Sequence, residues 1–188
     1  MSETSALPSR LTAVSLSTFS LACAFAVAGV FVVAAVAKLR SPAAVREATV
    51  ALGVPGSLAL VIAPVELVVV TLLLLVPRVG AAAAVGLLVL FTVLLRRVLT
   101  TGRTVRCGCF GAGSSAPVTW VSLMRNVALI AASLLAWPAP SLLTIDAVQL
   151  WAGLAVGLGV VCVGLLVHAL AELRLVTGSV FPSPRSEA

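Results

Sequence analysis

"SLALVIAPVELVVVTLLLLV", residues 57–76, decides the fold. The run carries a single charge, Glu66, near its middle, with a VPG turn before it and PRVG after it. At about 1.5 Å per residue, a helix of this length crosses roughly 30 Å of hydrocarbon. In lipid each backbone N–H and C=O needs an internal partner, so only a helix or a closed barrel spans. Apolar and polar residues do not alternate along the run, which excludes a barrel strand.

Four more runs of this kind lie on either side. The first spans Ser15 to Ala37 and is closed by "KLRSP". Its apolar core exceeds the roughly 7–15 residues of a cleaved signal segment, so a retained helix is expected. The third runs from Val79 to Leu95 and ends in "RRVLTTGRTVR". The fourth starts near Pro117 and ends at "WPAP", and the fifth runs from Ala147 to Leu170 before "AELR". Between the first two spans, "KLRSPAAVREATVALGVPG" (38–56) predicts a short amphipathic interface helix that starts at Pro42. Composition agrees: 61% of the 188 residues are hydrophobic and 10% are charged. A soluble domain is about half apolar and about a quarter charged. The expected architecture is an all-α integral membrane protein, a four-helix transmembrane bundle plus a fifth transmembrane helix. Residues 1–14 form a polar tail, 15–137 the four-helix domain, 138–172 the additional helix and 173–188 a disordered Ser/Pro-rich tail. The lipid bilayer is therefore the first partner.

The net charge of +6 sits mainly at span ends. With five spans, Lys38, Arg40, Arg46, Arg96, Arg97, Arg103, Arg106, Arg174 and Arg185 share one side, and only Arg10 and Arg78 take the other. The positive-inside rule places the first side in the cytoplasm and the N-terminus outside. No basic patch is interleaved with aromatics and Tyr is absent, which argues against nucleic acid as a partner.

Two groups of residues carry candidate chemistry. A carboxylate inside a span is costly and is a functional hypothesis by default, so Glu66 heads the first group. Arg125 and Asn126 enter the fourth span at nearly the same depth as Glu66, counted at about 1.5 Å per residue. Glu66 is expected to face Arg125, or Lys38 at the end of the first span. Such a pair either orients helices structurally or forms a site. Pro64 frees a backbone carbonyl near Glu66.

The second group is Cys107-Gly108-Cys109, set in "VRCGCFGAG" (105–113). Neighbouring arginines lower a thiol's pKa, and the thiolate is the nucleophile. A disulfide across one glycine would be strained and labile, as catalytic disulfides are. The plain alternative is two unlinked loop cysteines. A metal site is not expected, because structural zinc takes four ligands and the sole histidine, His168, lies on the fifth span. Cys23 and Cys162 differ in depth by roughly 12 Å and read as buried small hydrophobes. Trp120, Trp137 and Trp151 fall at span ends as interface anchors. Gly153 and Gly157 make a G-x-x-x-G contact, inside the bundle or between copies in an oligomer.

The order "AKLRSP", "LGVPG", "APVEL", "CGCFG" and then "RN" resembles the MauE family of bacterial membrane proteins, a relative of the DoxX-like group. The resemblance covers residues 15–137, and "CGCFG" followed by "RN" is its most specific part. Its motif positions are Lys38, Pro64, Glu66, Cys107, Cys109, Phe110, Gly111, Arg125 and Asn126. It implies a multi-pass protein of the bacterial inner membrane linked to methylamine utilisation. It also implies a role in maturing the disulfide-rich small subunit of methylamine dehydrogenase, beside a thioredoxin-like partner.

Two functions are compatible with these residues. In the first, a thiol–disulfide oxidoreductase cycles Cys107 and Cys109 against a thioredoxin-like partner or a quinone, and the Glu66/Arg125 cluster holds a quinone headgroup or shuttles a proton. In the second, a non-catalytic membrane subunit or small-molecule carrier uses the buried Glu/Arg site.

Overall fold

The computed structural model describes residues 7–51, 53–101 and 120–180. They form α1 (Leu7–Arg40), α2 (Pro42–Ala51), a 3-10 turn (Gly56–Leu58), α3 (Ala59–Leu75), α4 (Pro77–Thr100), α5 (Trp120–Leu135) and α6 (Ala147–Val180). Among the described residues there is no strand, and the chain is an all-α membrane protein. Four stretches are long and apolar enough to span: Leu16–Arg40, Gly56–Leu75, Pro77–Thr100 and Ala147–Gly164. The fifth, α5, has 16 residues, or about 24 Å of helix. Trp120 opens α5 and Trp137 follows it, both exposed, as is Trp151 in the first turn of α6. Indole rings at helix ends suit the headgroup layer.

The spans close into a ring. α1 packs on α3 and α5, and α4 packs on α3 and α5. Where the helices meet, the core is built from small side chains with a few larger ones: Ala24, Val27, Ala28 and Phe31 on α1, Val69 and Leu73 on α3, Ala81, Ala84 and Leu88 on α4. Lipid tails are as apolar as leucine, so spans associate by close packing, which small residues permit. Pro77 opens α4 directly after α3, a position where its missing N–H costs nothing. At the same end, Leu142 N–H donates to Leu74 O at 3.1 Å and satisfies one of α3's terminal carbonyls.

Between α1 and α3, α2 buries Val45 and Thr49 and exposes Arg46 and Glu47, the amphipathic pattern expected of an interface helix. It ends where Gly53 takes φ of +77° and Val54 N–H reaches back to Thr49 O at 3.1 Å, a left-handed helix stop suited to glycine.

The sixth helix lies outside the ring, against α1. A Cβ placed on Gly153 would lie 3.0 Å from Leu21, and one on Gly157 would lie 2.6 Å from Phe25 Cβ. Gly29 of α1 faces Val161 in the same way. Residue numbers rise together along the two helices, so they run parallel, as first and fifth spans must. The G-x-x-x-G contact is thus made within the chain.

Both outer helices are longer than their sequence suggests. α1 begins at Leu7, so residues 7–14 of the expected 1–14 tail are helical. α6 continues to Val180, so residues 173–180 of the expected 173–188 tail are helical too. Neither stretch holds a helix stop: Pro8 lies in the first turn of α1, where proline is tolerated, and no proline interrupts α6. Polar side chains mark the end of a span and not the end of its helix. For α6 the packing can be tested. Gly157→Leu should lower thermal stability in detergent by about 1–3 kcal/mol through overpacking. Gly159→Leu should stay within about 0.5 kcal/mol, because nothing lies within 4 Å of that position.

Candidate functional site

Three helices present buried stripes toward one point. On α1, Phe31, Ala34, Ala35 and Lys38 are buried, spaced as one helical face. On α3, Ala63, Glu66, Val69 and Leu73 are buried on another. On α5, Leu123, Asn126 and Ser133 are buried, and Arg125 is half-buried beside them. Lys38 Nζ donates to Glu66 Oε1 in a buried ion pair. Lys38 also stands over the Phe91 ring of α4, 5.8 Å from its centroid. A lysine two residues from the end of a span usually extends its ammonium outward to the interface. Here the side chain follows the tilt of helical Cα–Cβ bonds back toward the N-terminus of α1 and into the bundle.

The pair borders a cavity of about 40 Å³, roofed by Phe91 and flanked by Arg125 and Asn126. Val30, Phe31, Ala34, Leu88 and Leu129 complete its wall. One water needs roughly 10–15 Å³ of such volume, so a few waters fit. Of the two carboxylate oxygens, Oε1 takes the lysine, and the buried Oε2 has no hydrogen-bond partner among the described residues.

Of the expected polar cluster, Lys38, Glu66, Arg125 and Asn126 all line this one cavity. The direct salt bridge of Glu66 is to Lys38. Pro64 faces outward and is exposed, with α3 continuing through it. Cys107, Gly108, Cys109, Phe110 and Gly111 lie outside the described residues. The helices that carry their loop end at the level of Thr100 and begin again at Trp120. Both positions lie at the end of the ring where α1 finishes, since neighbouring spans alternate in direction. Cys23 is half-buried, Cys162 is exposed, and both are free. With Gly29 opposite Val161, their levels differ by about 10 Å, too far for a disulfide. His168 falls within α6.

Phe91 was not visible as a site residue in the sequence. A phenylalanine in an apolar run looks lipid-facing, and only the packing of α4 opposite Lys38 reveals its role. The pair itself makes a definite prediction. Glu66→Gln removes the partner of a buried ammonium and should cost about 3–5 kcal/mol, read as a fall in detergent thermal stability. Replacing exposed Glu47 by Gln should leave stability within about 0.5 kcal/mol.

Comparison with known proteins places this sequence in a family. Residues 16–139 match the sequence model of the family described as methylamine utilisation protein MauE. The match begins in α1, ends just beyond α5 and leaves α6 outside. The methylamine utilization protein MauE of Paracoccus denitrificans is 39% identical over 79 residues, which cover 40% of this chain and 42% of that protein. The chain therefore aligns with less than half the length of this curated relative. No solved structure matches. Because the family match takes in about two thirds of the chain, including all four helices that enclose the Lys38–Glu66 pair, the chain belongs to the methylamine utilisation protein MauE family.

Proposed function

We propose that the chain is a thiol–disulfide exchange protein of the bacterial inner membrane that matures a disulfide-containing partner. The observation that carries this reading is Cys107-Gly108-Cys109, a thiol pair with Arg103 and Arg106 close by in the sequence between α4 and α5. A disulfide between Cys107 and Cys109 would accept two electrons from a partner dithiol. A partner thiolate attacks one sulfur, a mixed disulfide forms, and the partner's second thiolate resolves it. The partner gains its disulfide, two thiols are regenerated here, and a second disulfide or a quinone takes up the two electrons and resets the pair. The resemblance to the family implies the disulfide-rich small subunit of methylamine dehydrogenase as that partner, with a thioredoxin-like protein beside it. If the loop faces the cytoplasm, as the arginine distribution implies, the pair would instead take electrons from a cytoplasmic thiol donor.

A non-catalytic subunit or small-molecule carrier is the second reading. The cavity beside the buried Lys38–Glu66 pair favours it, since a purely redox role for the cysteines does not require one.

Impermeant maleimide labelling separates the two readings. Labelling of Cys107 and Cys109 should rise several-fold after reductant, and only from the membrane face that carries the loop. Thiols that are fully labelled without reductant, together with unchanged partner oxidation in Cys107→Ser/Cys109→Ser, would remove the exchange reading. Loss of host function in Glu66→Gln alone, with the cysteines dispensable, would favour the carrier.

A further inference from the structure

The carboxylate of Glu66 is engaged on one side only. Oε1 holds the Lys38 ammonium, while Oε2 is buried without a hydrogen-bond partner among the described residues. A buried acceptor left in this way costs free energy unless a donor reaches it. The cavity of about 40 Å³ lies directly against the pair, and its other polar wall residues are Arg125 and Asn126. A cavity is hydrated when it has room and a water finds two to four polar partners. Both conditions hold here, because Lys38 has three N–H donors and gives one to Glu66.

We propose that Glu66 Oε2 and the water of this cavity form a proton-binding site inside the bundle. In the exchange step, a hydronium in the cavity gives its proton to Oε2. A carboxylate and hydronium become a carboxylic acid and water, and the charge of the Lys38–Glu66 pair rises from zero to plus one. Release runs the same step backward. Lys38 is the positioning residue, engaging Oε1 so that Oε2 is the oxygen left to take the proton. Among the described residues, the other charged groups lining the cavity are Lys38 from α1 and Arg125 from α5, and α4 contributes Leu88 and Phe91. The site does not depend on the loop cysteines.

Infrared difference spectroscopy tests this on the full chain reconstituted in zwitterionic lipid. Stepping the pH downward should produce the C=O stretch of a protonated carboxylic acid that shifts in D2O and reverses on return. Glu66→Gln should abolish the band. Glu66→Asp, which keeps a carboxyl group and tolerates the fold better, should move the band without removing it. Ala34→Leu fills the cavity and leaves Lys38 and Glu66 in place, and it should suppress the band. Cys107→Ser/Cys109→Ser should leave the spectrum unchanged, so failure of the exchange reading would not touch this result. Absence of any Glu66-dependent band while the protein stays folded would overturn the proposal. A band of full size in Ala34→Leu would overturn the role of cavity water.

Discussion

An ammonium and a carboxylate meeting inside an apolar bundle govern this structure. Either charge alone in hydrocarbon costs several kcal/mol or more. Lys38 and Glu66 lie 28 residues apart in the chain, on helices that run in opposite directions. Their contact fixes how α1 is rotated and how far it slides along α3, because neither group tolerates facing lipid. The same rotation turns Ala34, Phe31 and Ala35 inward as the apolar face of α1. A hydrophobic stripe alone sets this register weakly in a membrane, where lipid competes for every apolar contact.

Around the pair, closeness is achieved by residue size. Alanines of α1 and α4, packed against Val69 and Leu73 of α3, let the ring tighten around the pair. The glycines of α6 let a further helix lie against the outer side of α1. The ring is the part that matches the family, and no described residue of α6 is among those lining the cavity. The polar interior thus belongs to the ring, while α6 reinforces α1, the helix that supplies the lysine.

Much of this was legible in the chain. Apolar runs bounded by turns gave the spans, and Pro42 with the VPG turn gave α2. Glu66 announced itself as the lone charge of its span. Its partner was ambiguous, because Arg125 lies at equal depth while Lys38 sits near a helix end and reaches Glu66 only through its long side chain. Simple depth counting treats side chains as points and favours Arg125. Phe91 and the cavity depend on how α4 faces α1 across the ring, which no local pattern encodes. The helices extend past the apolar runs to Leu7 and Val180, because span length is set by hydrocarbon, whereas helix length is set by where a stop occurs.

The account stands or falls on the Lys38–Glu66 contact, and a double-mutant cycle tests it directly. Thermal or denaturant unfolding is measured in lipid nanodiscs for Lys38→Met, Glu66→Leu and the double variant. Each single change leaves one charge buried alone, and the double change leaves none. The account predicts that the double variant is more stable than either single variant, with a coupling of about 2 kcal/mol or more. Additive losses, with the double variant the least stable of the three, would contradict it.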